Sequence, residues 1–210
     1  MADPEAEVEA YRQLRQALDA EGFEAVALTT NVAATPDFDP TSADAAVRER
    51  ALVYLRSRVE ITAALRGTVM MGPIIFPYAL RPRGRNGAEL WSDALQEALP
   101  AGYARAATVL AELADHAAGL GVRLAIEPIS HWETAAPNTL AELQAFLELV
   151  PNPQLGVVID SAHETLDGAG PECFAAQVEA LAMAGRLHYV QLSPPDRGRL
   201  DRSWLPWTPF

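Results

Sequence analysis

Lysine is absent from this chain; all 16 basic residues are arginine. That excludes Schiff-base aldolases, P-loop nucleotide hydrolysis and lysine general bases. Cysteine is nearly absent too. Cys173 alone excludes an intrachain disulfide and any cysteine-cluster zinc or iron–sulfur site, and reads as a small buried hydrophobe. Positive charge is scarce, with 28 acidic residues and a net charge of −12. Such a chain repels a phosphate backbone, so no nucleic-acid partner is expected. Arginines cluster only at Arg81/Arg83/Arg85, a solvated loop by composition, and at Arg197/Arg199/Arg202. No apolar run approaches the ~18 residues that span a bilayer, which excludes a membrane role. The opening Met1-Ala-Asp-Pro-Glu-Ala-Glu7 has no basic-then-apolar signal pattern, and the cytoplasm is the expected compartment.

What is there is a core-forming composition. Of 210 residues, 50% are hydrophobic and 21% charged, which suits one domain over residues 1–210. Apolar residues at helical spacing appear at Val8/Tyr11/Leu14/Leu18, Leu52/Leu55/Val59/Thr62 and Tyr103/Ala106/Leu110/Leu113/Ala117. They recur at Leu140/Leu143/Leu147/Val150 and Phe174/Val178/Leu181, and Thr139 with Glu142 forms a capping box.

Between these lie five short apolar runs: Glu24–Leu28, Thr68–Met71, Arg123–Ile126, Gly156–Ile159 and Leu187–Val190. Continuous apolarity predicts strands buried on both faces, as in a parallel sheet wrapped by helices. Gly22, Gly67, Gly121 and Gly185 precede four of them, where a turn from helix to strand needs positive φ. Alternation of the two patterns predicts an α/β fold. The stretch from Gly72 to Ala101 is rich in Pro, Gly and Arg and reads as a long functional loop. No Gly-x-Gly-x-x-Gly follows any strand, so a dinucleotide-binding sheet lacks its signature.

Three of the strands end in an oxygen donor: Glu127, Asp160 and Gln191, spaced 33 and 31 residues apart. One βα unit of a (βα)₈ barrel is about 31 residues, and such strand ends converge on one mouth. A carboxylate after a strand is also a common helix cap or loop residue. Three in phase at the repeat length point instead to an all-oxygen site suited to Mn²⁺, Mg²⁺ or Co²⁺. Of the four histidines, His116 reads as a surface helix residue and His188 as a hydrogen-bonded core residue.

Leu124-Ala-Ile-Glu-Pro-Ile-Ser-His-Trp-Glu133, Gly156-Val-Val-Ile-Asp-Ser-Ala-His163 and His188-Tyr-Val-Gln-Leu-Ser-Pro-Pro-Asp-Arg-Gly-Arg-Leu200 resemble the sugar phosphate isomerase/epimerase family. These are xylose isomerase-like TIM barrels that include ketose 3-epimerases of the D-tagatose type and hydroxypyruvate isomerase. The resemblance implies a small sugar substrate. It makes Glu127 both metal ligand and catalytic acid/base, Asp160 and Gln191 further ligands, and Glu133, His163 and Arg197 contacts to the substrate's oxygens. Relatives often read Ser-Glu-x-His-Arg-Gly after the last ligand; here Ser193-Pro-Pro-Asp-Arg-Gly198 stands instead, so the substrate preference stays open.

By the same resemblance the barrel is incomplete: about five strands, without the first strand and the last two βα units. The second catalytic glutamate of the relatives would lie in those units, and no glutamate follows Glu179. The expectation is a truncated product with weak metal binding, poor solubility and negligible turnover. The function implied is a divalent-metal-dependent isomerase or epimerase of a ketose or related keto-sugar, acting through an enediolate. A keto-inositol dehydratase, a hydroxypyruvate-type isomerase or a non-catalytic remnant are the alternatives on the same barrel. An endonuclease IV-like DNA repair enzyme needs a histidine-rich zinc site and a basic groove, which this sequence does not offer. Homo-oligomerisation stays open.

Overall fold

The computed structural model describes residues 4–23, 32–78, 93–203, 205 and 207. The chain enters through α1 (Pro4–Ala20) and α2 (Ala45–Ala64), and β1 (Val69–Gly72) follows. Then come α3 (Asp93–Gly119), β2 (Arg123–Ile126), α4 (Leu140–Leu149), β3 (Leu155–Asp160), the short α5 (Ser161–Leu166), α6 (Phe174–Met183) and β4 (Leu187–Gln191). The four strands form one sheet in the order β1-β2-β3-β4, every pair parallel. Parallel neighbours need a crossover, and helices supply it. The result is a half-barrel with an α/β fold, as the alternation of periodicities predicts. The expected strand at Glu24–Leu28 lies outside the described residues, as does the Arg81/Arg83/Arg85 cluster.

Alternate strand residues divide between two cores. Met70, Leu124, Ile126, Val157 and Ile159 pack outward against the helices, beside Leu110, Leu113, Leu143 and Phe146. Val69, Met71, Ala125 and Val158 face the concave side, with Tyr189 against them. Burial on both faces holds for β1 and β3 but not for β4, where only His188 is buried and Val190 is exposed. β4 is an edge of the described sheet, so no strand among the described residues pairs with its far side.

Three local expectations are corrected. The stretch from Gly72 to Ala101 is not all loop: α3 already begins at Asp93 and runs through Pro100. Packing overrides the missing N–H there. Leu99 is buried, and Gly102 lies so close to Phe76 that an added Cβ would sit 2.8 Å from its ring. At the turn before β1 the positive φ belongs to Arg66 (62°) rather than Gly67, whereas Gly22, Gly121 and Gly185 take it as expected. The 6→1 closure is nevertheless the same, Gly67 N–H donating to Thr62 O as Val122 N–H does to Ala117 O. Cys173 is exposed, not buried, because it closes a 3-10 turn at the surface ahead of α6.

The His188 ring is buried, and its Nδ1 lies 3.0 Å from the carbonyl of Leu124, two strands away. Pairing steps from Val157↔Leu187 to Val158↔Tyr189, which leaves His188 as the extra residue of a bulge. Gly156 makes room for it: a Cβ there would meet the imidazole carbons and Arg186 O at 2.6 Å. His116 is half-buried on α3 rather than fully at the surface, its Nε2 3.3 Å from Glu60. No helix among the described residues is long and apolar enough to cross a membrane.

Candidate metal and sugar site

The carboxyl ends of β2, β3 and β4 present Glu127, Asp160 and Gln191 side by side. Glu127 continues the ladder, its N–H donating to Gly72 O at 3.2 Å. Its side chain is buried, and burial, reinforced by Asp160 and Glu133 and opposed by Arg197, pushes its carboxyl up to about 8. Asp160 serves two ends. Oδ1 caps α5 by accepting from Ala162 N–H at 2.7 Å, so the helix-cap role weighed against a site role is present as well. Ser193 Oγ lies within hydrogen-bond distance of both oxygens of Asp160.

Gln191 turns its amide oxygen toward Glu127 Oε1 and Asp160 Oδ2; turned over, the amide would donate to each across 3.2 Å. In that turned-over orientation the amide nitrogen satisfies both carboxyls; with a cation held and Glu127 ionised, the amide oxygen would face inward instead. Oxygens at about 2.1 Å from one octahedral cation stand about 3 Å apart. The spacing, the burial of both carboxylates and the all-oxygen chemistry therefore fit a hard divalent cation, with Glu127, Asp160 and Gln191 as its holders. A cluster drawn without Gln191 would take His163 instead, since donor atoms of Glu127, Asp160 and His163 lie within 4.8 Å of one another.

His163 projects from α5 and is buried. Its Nδ1 lies 3.1 Å from Ser130 N and 2.9 Å from Ser130 Oγ. Burial pulls its basicity down, Asp160 and Glu133 pull it up, and Arg197 opposes them; the net direction is down. Arg197 reaches back from the loop after β4, with a left-handed backbone (φ 56°) unusual for a residue with a side chain. Its Nη2 stands 3.0 Å from His163 Nε2 and 3.8 Å from Glu133 Oε2, and its Nη1 3.7 Å from Asp160 Oδ2. Of the acidic residues near it in sequence, Asp201 pairs with Arg199.

Glu133 sits on a turn closed by its own N–H donating to Ser130 O at 2.8 Å. Its Oε1 accepts from the Tyr78 hydroxyl at 3.4 Å, and its Oε2 is buried without a hydrogen-bond partner. All six residues singled out from the sequence line one cleft of about 850 Å³. Ser193 and Tyr78 line it as well, and Ser130 stands behind His163, all three unforeseen. Ser193 stood inside a quoted motif, yet nothing local distinguishes a serine that touches a strand-end aspartate from one that faces water.

A parallel half-barrel with a buried oxygen-donor cluster at its strand ends defines a class of barrel that does its chemistry at the carboxyl mouth. The chain belongs to the xylose isomerase-like TIM barrel family, whose model matches residues 2–207. It is 25% identical over 172 residues to a ketose 3-epimerase of Arthrobacter globiformis, covering 82% of this chain and 53% of that one. It is 28% identical over 172 residues to an L-ribulose 3-epimerase of Methylomonas sp. (strain DH-1), covering 82% and 54%. The chain thus spans about half the length of the curated relatives it matches. Among solved structures, a candidate sugar phosphate isomerase/epimerase from Anabaena variabilis ATCC 29413 superposes with a TM-score of 0.90 at 55% identity. That match covers 99% of this chain and 63% of the other.

Proposed function

We propose that this chain carries the metal and substrate half of a divalent-metal-dependent isomerase or epimerase acting on a ketose or related keto-sugar. The observation that carries the reading is the convergence of Glu127, Asp160 and the side-chain amide of Gln191 at the ends of three adjacent strands. Their oxygens hold the cation, and Mn²⁺, Mg²⁺ and Co²⁺ all suit the set. When bound, that cation neutralises the negative charge that builds on the substrate's neighbouring oxygens as an enediolate forms.

The chain's own groups do the rest. Glu127, which would be the carboxylate while the cation is held, accepts the proton from the carbon beside the carbonyl and returns it, its burial favouring the protonated form it passes through. His163 and Arg197 donate to substrate oxygens, while Glu133 Oε2, buried without a partner, accepts from a hydroxyl. Of the three carboxylates on the cleft, Asp160 is committed to the cation and the α5 cap and Glu133 to the His163–Arg197 side. Glu127 is left as the single base. The 210-residue chain by itself therefore exchanges the substrate's proton slowly and inverts no stereocentre. The protein acts in the cytoplasm, and neither nucleic acid nor membrane takes part.

Calorimetric titration with Mn²⁺, followed by incubation with L-ribulose in D₂O, tests this reading. One saturable site, lost in Glu127→Gln, and deuterium incorporation without inversion are expected. Absence of any saturable site sinks it, as does full epimerisation by the purified chain for the single-base part.

A further inference from the structure

A neutral imidazole has one N–H, and the partner of one ring nitrogen decides what the other can do. Nδ1 of His163 stands 3.1 Å from the main-chain N–H of Ser130, which is aimed at it. A main-chain N–H can only donate, so Nδ1 must accept, and the ring's proton must lie on Nε2. The peptide that supplies this N–H is held from its other side. The carbonyl of Ile129, in the same peptide plane, accepts from Asn138 Nδ2 at 2.8 Å, and Ser130 is wholly buried. Ser130 O is engaged as well, accepting from Glu133 N–H at 2.8 Å and Thr134 N–H at 3.3 Å.

We infer that the main chain of Ser130, anchored by Asn138, locks His163 as the Nε2–H tautomer. The ring is thereby a standing hydrogen-bond donor to an oxygen in the cleft and is barred from the ligand set of the cation. A ligating histidine presents a bare nitrogen to the metal and donates its other ring N–H to an acceptor. His163 has the opposite arrangement, with a donor on Nδ1 and the proton on the nitrogen that faces Glu127 Oε1 at 3.5 Å.

The contact with Arg197 pulls the other way but is the weaker constraint: its Nη2 lies 3.0 Å from Nε2 and would favour a bare nitrogen there, yet the guanidinium is half-exposed and can shift, whereas the Ser130 N–H is fixed in a buried main chain. With the proton on Nε2, no hydrogen bond forms between the two, and a single oxygen placed there satisfies both. Glu133 Oε2 stands 3.7 Å from Nδ1, too far to draw the proton back to that nitrogen. That the shared oxygen belongs to a sugar rests on the proposed function; the place of the proton does not. Ser130 and Asn138 act through His163 and are positioning residues.

Long-range ¹H–¹⁵N correlation on the ¹⁵N-histidine-labelled chain reads the tautomer, with the signals missing from His163→Gln identifying the ring. An unprotonated Nδ1 and a protonated Nε2 are expected, unchanged in Ser130→Ala, which keeps the main-chain donor. Addition of Mg²⁺, its binding followed by the Gln191 side-chain amide shifts, leaves both nitrogens as they were. An Nδ1–H ring or an imidazolium in the native chain overturns the inference. A switch of tautomer in Ser130→Ala does so too, because the hydroxyl would then be the determinant. So does loss of the Nε2 proton when Mg²⁺ binds. If Gln191 shows no response to Mg²⁺, the metal reading fails, while the measurement without metal still decides the tautomer.

Discussion

Ser193 Oγ stands 2.7 Å from Asp160 Oδ1 and 3.0 Å from Oδ2, so a hydroxyl from the loop after β4 grips the carboxylate at the end of β3. The grip is reciprocal along the chain, since Ser161 Oγ donates to Ser193 O at 2.8 Å and accepts from Ser193 N–H at 2.9 Å. The loop and the start of α5 are thus one unit, and the orientation of Asp160 depends on it. Removing an outer partner of a metal-holding group lowers metal affinity by about 10- to 100-fold. Ser193→Ala is expected to weaken Mn²⁺ binding by that factor in a calorimetric titration. Folding stability should fall by only about 1 kcal/mol, as for one lost hydrogen bond.

Glu127 sets a pH dependence with a definite sign. Burial raises its carboxyl from 4.5 to about 8 in the folded chain. Below about pH 4.5 it is protonated folded or unfolded. Between 4.5 and 8 the unfolded chain has released a proton that the folded chain keeps, so this group's contribution to stability falls as pH rises and levels off above 8. Cation binding needs the carboxylate and releases that proton, so affinity climbs with pH through the same window. Denaturant titrations without metal at several pH values should show the decline, flattened in Glu127→Gln. Calorimetry in buffers of different ionisation heat should show the released proton.

Gly156 is expected to resist any side chain. In Gly156→Ala the new methyl would meet the His188 ring and Arg186 O at 2.6 Å, and one of those contacts is backbone. Overpacking of this kind costs about 1–3 kcal/mol, read as a lower denaturant midpoint. Adding His188→Ala should recover part of the loss, because the ring is the movable half of the clash.

The start of α4 should behave as an ordinary cap. Thr139 Oγ1 accepts from Glu142 N–H at 3.2 Å, and Glu142 Oε2 accepts from Thr139 N–H at 3.2 Å and Asn138 N–H at 2.6 Å. Thr139→Ala is expected to cost about 1 kcal/mol in thermal or chemical unfolding. Metal affinity should stay unchanged, since Thr139 hydrogen-bonds within its own cap and not to Glu127, Asp160 or Gln191, the residues proposed to hold the cation.

Much of this was legible in the chain itself. Short continuous apolar runs and period-3.6 apolar patterns depend on neighbours a few residues away, so four strands and five helices could be read directly, as could the capping box at Thr139. Glu127, Asp160 and Gln191 were legible because a repeat of about 31 residues puts strand ends in phase, and phase survives folding. The short α5 was not, since six residues leave no period to detect and its cap, Asp160, already had another reading.

What the linear order determined, then, was the α/β alternation, the parallel half-barrel and the three oxygen donors at its mouth. Tertiary structure alone decided that α3 runs through Pro100, that Arg66 takes the left-handed turn, and that His188 fills the space Gly156 leaves. It alone turned the Ser130 N–H onto His163 and brought Arg197 to the same ring. Periodicity is a property of residues close in sequence. The direction of a hydrogen bond, and the room for a side chain, belong to groups that only folding makes neighbours.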